Sequence, residues 1–285
     1  MVLSEESTSR YVQAGPWRIH YNEAGTGDPL ICIHGGGPGA SGWSNFRRNI
    51  GPLSQHFRTI LIDLPGYGKS DKAIHLEGGR FAFYAGVVKD FMDALGIERA
   101  HFLGNSLGGG TTLKFALEHP QRAGRLVLMG PAGMIGPFSP QPSEGLKVLW
   151  SYYDPPGPSL ERLRAFMEVM VYDPSQVTDD LLQERFQASI QPEVMANPPL
   201  GRAAASALEE LWRELPRVKH KTLLIWGRDD RVLPLDHAFI MLRLMPDVRL
   251  HILGNCGHWA QWEHAEEFNR LVIGFLTLAD SGEGK

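Results

Sequence analysis

The run Gly104-Asn105-Ser106-Leu107-Gly108-Gly109 lies between a short apolar segment, 101–103, and a helical pattern, 111–118, that stops before Pro120. A G-x-S-x-G at a strand-to-helix junction makes a turn so tight that only small residues fit beside the serine, whose hydroxyl is left at the top of a sheet. The pattern is short and also occurs as an ordinary Gly/Ser loop, so its surroundings decide what it means. Here a strand precedes it and a helix follows. That commits the chain to a sheet whose other strands must bring a base and an acid to the same edge.

Apolar, β-branched runs recur at 30–33, 59–64, 101–103, 126–129, 222–226 and 250–253. Runs without alternation suit strands buried on both faces, as in a parallel sheet. Helical patterns fall between them at 81–95, 111–118, 235–245 and 263–276. This rhythm predicts an α/β fold, a mostly parallel central sheet with crossover helices on both faces. It breaks from about 134 to 216, where Gly133, Gly136, Pro137, Pro140 and Pro142 precede helical segments at 160–171, 178–188 and 203–215. The expected organisation is a core in two parts, 1–133 and 217–285, interrupted by a helical lid, 134–216. Insertions at the carboxyl ends of strands are where ligand sites gather. The plainer alternative is a helical subdomain that only adds stability.

A serine hydroxyl is a weak nucleophile until a base takes its proton, and that base needs a carboxylate to fix its tautomer. When the elbow is catalytic, the chain order is Ser, acid, His. Asp230 follows the run 222–226, and His258, in Asn255-Cys256-Gly257-His258-Trp259, follows the run 250–253, so the order fits Ser106. Asp229 and Asp236 compete for the acid position; Asp229 reads as a turn or cap residue. Cys256 stands two residues from His258 but reads as a small buried filler. The sequence His34-Gly35-Gly36-Gly37-Pro38-Gly39 follows the run 30–33, and such a turn aims a backbone N–H at the nucleophile. The N–H of Leu107 is the second expected donor. This loop lacks the GK[ST] ending of a phosphate-binding loop and the G-x-G-x-x-G spacing of a dinucleotide site.

Composition narrows the classes further. A net charge of −4 gives no electrostatic case for nucleic acid or an anionic membrane surface. No apolar run approaches the ~18 residues of a membrane helix, and residues 1–10 are too polar for a signal peptide. Two cysteines, Cys32 and Cys256, suit a reducing compartment, so the expected location is the cytoplasm. No metal-ligand cluster stands out, and no metal is expected.

Six stretches together resemble one family: HGGGPGASGWSNFRRNI (34–50), DLPGYGKSD (63–71), GNSLGGG (104–110), RLVLMGPAG (125–133), WGRDDRVLPLDH (226–237) and CGHWAQWEHAEEFNRLVIGFL (256–276). The chain is similar to the meta-cleavage product hydrolases, carbon–carbon bond hydrolases of bacterial aromatic catabolism within the α/β-hydrolase superfamily. The resemblance implies an α/β-hydrolase fold and no cofactor. It implies a small-molecule substrate of the 2-hydroxy-6-oxo-hexa-2,4-dienoate type, with an organic group at carbon 6. Ser106, His258 and Asp230 would cleave the C5–C6 bond through an acyl-enzyme. Gly36 and Leu107 would form the oxyanion hole, Arg185 would bind the carboxylate, and Asn45, Gly37, Asn105 and Trp259 fall at binding positions. Asn105 has an independent case, because its place before the elbow serine points it at the site. The family also implies a homo-oligomer, a dimer or larger.

The segment 192–215 departs from the lids of biphenyl-type relatives: their distal-ring tryptophan has no counterpart at the same spacing, and Trp212 is shifted. Val232 and Leu233 give an aliphatic wall where some relatives carry phenylalanine. The group on carbon 6, whether aryl, alkyl or steroid, therefore stays open, with 6-phenyl the first expectation. A carboxylesterase would share the triad without needing Arg185. Dehalogenases and epoxide hydrolases of this fold use an aspartate where Ser106 stands. A ligand-binding module could keep the fold without catalysis.

Overall fold

Neighbouring residues in each central strand belong to opposite cores. In β3 (Pro29–Ile33), Leu30 and Cys32 face one apolar cluster while Ile31 and Ile33 face the other. The same parity holds in β6 (Ala123–Met129), with Val127 and Met129 on one side and Leu126 and Leu128 on the other. Side chains alternate along a strand, so a run buried on both faces reads as continuously apolar. The computed structural model describes residues 3–72, 79–200 and 209–279.

The remaining strands are β1 (Ser9–Ala14), β2 (Trp17–Ala24), β4 (Arg58–Ile62), β5 (Ala100–Asn105), β7 (Thr222–Gly227) and β8 (Val248–Leu253). They form one eight-stranded sheet in the order β1-β2-β4-β3-β5-β6-β7-β8. Pairing is parallel from β4 through β8, and antiparallel for β1 with β2 and β2 with β4. The hairpin β1–β2 was not expected, because its exposed Arg10 and Gln13 and its charged Arg18 and Glu23 interrupt any apolar run. β8 also departs from expectation: as an edge strand only Leu253 is buried.

Helices cross over between strands as the pattern predicted. The main ones are α1 (Arg80–Ala94), α2 (Leu107–Glu118), α3 (Glu144–Ser151), α4 (Leu160–Met170), α5 (Asp179–Ser189), α6 (Pro192–Ala196), α7 (Asp236–Leu244) and α8 (Ala265–Thr277). α2 begins at Leu107, directly after the elbow serine, rather than at 111. Helices α3 to α6 lie between β6 and β7, and α3 and α6 were not foreseen. The expected helix at 203–215 lies partly outside the described residues; its visible end is a 3₁₀ turn, Trp212–Arg217. No helix among the described residues is long and apolar enough to cross a membrane.

From β3 the chain runs outward to β4 on one side and later returns to β5 on the other. Such a reversal leaves a crevice at the carboxyl ends of the two strands. The Gly-rich loop after β3 and the elbow after β5 meet there.

Candidate active site

Ser106 is half-buried and has φ 52° and ψ −111°, a backbone conformation that L residues rarely adopt. Its carbonyl accepts from Gly110 and Ala132 at 3.0 and 2.9 Å, and its N–H donates to Met129 at 2.9 Å. These bonds fix the strained turn from three sides. The flanking glycines answer to space: a Cβ at Gly104 would lie 2.5 Å from the Gly108 carbonyl oxygen, and one at Gly108 only 2.1 Å from that of Ile33. The elbow therefore packs backbone against backbone.

Nδ1 of His258 and Oδ2 of Asp230 are 2.7 Å apart, and both side chains are buried. The other oxygen of Asp230 accepts the N–H groups of Val232 and Leu233, each at 2.8 Å. A carboxylate so placed keeps the imidazole proton on Nδ1 and leaves Nε2 as the acceptor. The His258 ring and Asp230 lie against Gly130 (φ 42°), where a Cβ would come within 2.9 Å of the ring. Ser106 and His258 line one cavity.

The loops carrying this pair hang from the end of α4. The His258 N–H donates to the Met170 carbonyl at 2.7 Å, and Nη2 of Arg231 reaches that of Glu168 at 2.6 Å. A helix leaves its last carbonyls without internal partners, and these two are used to hold neighbouring loops. Glu263 grips the histidine loop from below, accepting from Gly257 at 2.9 Å, Trp259 at 3.2 Å and Tyr172 at 2.6 Å. Burial raises the Glu263 carboxyl above its ordinary value, against the lowering effect of these N–H groups.

The competing acids are engaged elsewhere. Asp229 pairs with Arg228 at 3.2 Å, and Asp236 accepts from Phe138, Ser139 and the Ser139 hydroxyl. Cys256 is fully buried, and burial pushes its thiol well above the ordinary range, which makes it inert as a nucleophile.

Gly36 and Gly37 line the cavity, as do Leu107, Asn105, Asn45 and Arg185. A Cβ at Gly36 would stand 3.2 Å from the Leu107 side chain, so the loop and the elbow are in direct contact. Asn105 is buried with Nδ2 3.4 Å from the Met129 carbonyl. Asn45 is tied into the protein: its Oδ1 lies 3.3 Å from Nε1 of Trp259 and 3.4 Å from the Gly35 nitrogen. Trp259, expected at a binding position, does not line the cavity. Its indole is fully buried, stacked on Trp262 at 4.9 Å, and the Arg185 guanidinium lies 5.5 Å above it. It supports residues that face the cavity.

Arg185 is 1% exposed. Its Nε donates to the Pro38 carbonyl at 2.9 Å, and its Nη1 has no partner among the described residues. Burial pulls the guanidinium down to about 10, still charged at neutral pH. A buried cation with an unmet donor is costly unless an anion completes it. Leu146, Leu149, Trp150, Phe166, Val232 and Leu233 give the cavity an apolar wall, and Arg80, Gln141, Glu209, Glu210 and His237 add further polar groups to its lining. The cavity thus brings the buried Arg185 cation, an apolar wall and the serine together.

Residues 28–265 match the family model described as the alpha/beta hydrolase fold. A 2-hydroxy-6-oxo-6-phenylhexa-2,4-dienoate hydrolase of Burkholderia cepacia is 48% identical, over 96% of this chain and 98% of its own length. The structure of a meta-cleavage product hydrolase from Pseudomonas fluorescens IP01 matches at 36% identity and a TM-score of 0.84, covering 94% of this chain and 97% of that one. The chain belongs to the α/β-hydrolase fold family, among its meta-cleavage product hydrolases. A further hydrolase, from Comamonas testosteroni, is 46% identical over 96% of this chain and 98% of its own, and is named for 2-hydroxy-6-oxononadienedioate and 2-hydroxy-6-oxononatrienedioate. Relatives named for a 6-phenyl substrate and for dicarboxylate substrates are thus similarly distant from this meta-cleavage product hydrolase.

Residues at this site that carried no role in the sequence reading include Tyr67, Arg80 and Glu263. Tyr67 and Glu263 lie inside the family-like stretches, but only the three-dimensional structure shows which groups they hold.

Proposed function

We propose that this protein hydrolyses the C5–C6 bond of a 2-hydroxy-6-oxo-hexa-2,4-dienoate carrying an organic group at carbon 6, in aromatic compound catabolism. The products are 2-hydroxypenta-2,4-dienoate and a carboxylic acid. The buried, unmatched Arg185 in the same cavity as Ser106 and His258 carries this reading. A simple ester offers it nothing, whereas a dienoate carboxylate completes the guanidinium with a charge-assisted pair. The names of the relatives support the same substrate class, with 6-phenyl first among the candidates.

Carbon 5 must first take a proton as the dienol becomes a ketone, so that the breaking bond can deliver its electrons into a conjugated carbonyl. Ser106 then attacks carbon 6 while His258, held by Asp230, takes the hydroxyl proton. The resulting oxyanion sits between the N–H groups of Gly36 and Leu107. Cleavage of C5–C6 leaves an acyl group on Ser106, and water releases it as the carboxylic acid. The inserted helices supply the apolar wall for the group on carbon 6, acting as the lid. We assign the enzyme to the cytoplasm, on its two cysteines and polar first residues, and to a dimer or larger assembly, on its family resemblance.

The test is spectroscopic. The purified protein should bleach the visible absorbance of the 6-phenyl dienoate, and Arg185→Ala should slow this at least about 100-fold, the cost of leaving a buried charge partner unpaired. Hydrolysis of an uncharged p-nitrophenyl ester should change less than about fivefold. Equal losses on both substrates, or ester turnover with no bleaching of any dienoate, would sink the assignment.

A further inference from the structure

Glycine at 36 fits a tight space, where a Cβ would lie 3.2 Å from the Leu107 side chain and 3.3 Å from the Tyr67 hydroxyl. Glycine is also the residue least able to hold its own conformation. An oxyanion donor built on it must be held from outside, because its contribution depends on being aimed before the charge develops.

Two neighbouring side chains hold it. The Gly36 N–H belongs to the Gly35–Gly36 peptide, whose carbonyl lies 2.7 Å from Nδ1 of His34. Nε2 of His34 accepts the Leu64 N–H at 3.1 Å, so the proton must sit on Nδ1 and is donated to Gly35. The next peptide, Gly36–Gly37, presents its carbonyl 3.2 Å from the Tyr67 hydroxyl. With both planar peptides pinned, neither dihedral of Gly36 is free.

The Tyr67 hydroxyl is itself directed. Nη2 of Arg80 approaches it at 2.8 Å, and the same nitrogen donates to the Pro199 carbonyl at 2.7 Å. A guanidinium can only donate, so the hydroxyl accepts from Arg80 and its own proton is left for Gly36. Arg80 and Tyr67 are 4% and 3% exposed, so water does not compete for either. Arg80 is fixed at the start of α1, where the Glu209 carboxylate accepts the N–H groups of Phe81 and Ala82 at 2.7 and 2.9 Å.

We infer that Arg80 and Tyr67 are positioning residues for the oxyanion hole, acting in series from α1 to the Gly36–Gly37 peptide. This rests on the proposed role of the Gly36 N–H. Arg80 also lines the cavity, with Nε unpartnered among the described residues; the inferred role is that it directs Tyr67, and Tyr67 directs the peptide.

The experiment compares wild type, Tyr67→Phe, Arg80→Met, Arg80→Lys and the Tyr67→Phe/Arg80→Met double variant. Each is assayed on the 6-phenyl dienoate and a p-nitrophenyl ester, and for inhibition by phenylboronic acid, whose tetrahedral serine adduct occupies the oxyanion hole. Losing an oxyanion donor outright costs about 10²–10³ in kcat, and misaiming one should cost about tenfold. Tyr67→Phe should therefore lower kcat about tenfold on both substrates, with KM within about twofold, and weaken the boronate in parallel. The double variant should be no slower than Tyr67→Phe alone, since residues in series do not add, and Arg80→Lys should recover part of the Arg80→Met loss. The proposal falls if Tyr67→Phe keeps kcat within about twofold, if the two losses multiply, or if kcat falls while boronate affinity holds. Should wild type cleave the ester and not the dienoate, the substrate assignment fails, and this inference is judged on the ester and the boronate alone.

Discussion

Two buried histidine–aspartate pairs in this molecule have the same geometry. His258 Nδ1 lies 2.7 Å from Asp230 Oδ2, and His20 Nδ1 lies 2.7 Å from Asp63 Oδ2. Each has a serine in its neighbourhood: Ser106 shares a cavity with His258, and the Ser9 hydroxyl is 2.9 Å from His20 Nε2. Their surroundings differ. Asp63 is occupied on every side, accepting from Gly42 at 2.7 Å and Lys69 at 2.8 Å as well as from His20. Its pair joins the hairpin strand β2 to the loop after β4, and His20 does not line the cavity. Ser9 starts an ordinary edge strand, with no strained turn and no loop of N–H donors before it. We propose that the Ser–His–Asp alignment does chemistry at Ser106, where a cavity, a strained turn and a Gly-rich loop meet it, and that at Ser9 it is a polar strut.

The largest effect expected from this contrast is on the nucleophile. Ser106→Ala should lower dienoate turnover by roughly 10⁴ or more, while Ser9→Ala should leave it within about twofold. A fluorophosphonate probe followed by peptide mapping should mark Ser106 alone. Label on Ser9 would erase the distinction between the two pairs.

The acids should separate next. Asp230→Asn should lower kcat by roughly 10²–10⁴ with little change in Tm, because it upsets the tautomer of His258 rather than the packing. Asp63→Asn should cost about 2–4 kcal/mol of stability in urea titrations, since it leaves buried donors poorly matched, yet keep kcat per folded molecule. If Asp63→Asn lowers kcat as much as Asp230→Asn, the strut is catalytic after all.

A smaller effect is the pH dependence of that stability. Burial alone would raise the Asp63 carboxyl, but the hydrogen bond and charge of His20 and the N–H of Lys69 bring it below its ordinary value. A depressed carboxylate contributes stability that is fully present above the unfolded value of about 4 and is lost as pH falls through the lower folded one. The urea stability gap between wild type and Asp63→Asn should therefore be flat above about pH 5 and close below about pH 4. A gap that widens on acidification would mean Asp63 enters the fold protonated.

The same contrast explains what could be read from sequence. β3, β5, β6 and β7 announce themselves as unbroken apolar runs because both their faces are buried. Ser106, Asp230 and His258 each follow a strand, so chain order alone suggested them. The hairpin β1–β2 stayed hidden because half of it meets water, and with it the His20–Asp63 pair, whose members are 43 residues apart. Tyr67 and Arg80 were silent for a similar reason: nothing in a local pattern says that two buried polar side chains meet over a glycine carbonyl. Trp259 was legible as part of a motif but not as a support, since only packing distinguishes a wall from what stands behind it.

The last turn of α4 has a consequence for anyone recombining this enzyme with its relatives. Its terminal carbonyls carry both the loop of Asp230, through Arg231, and the loop of His258. A graft that replaces the inserted helices to change substrate range also replaces the hooks from which the proposed acid and base, Asp230 and His258, hang. Selectivity and catalytic competence are therefore not separate modules in this chain. An exchange that keeps residues 168–171 in register keeps the machinery aligned, and one that cuts through them trades a new pocket for a slack histidine.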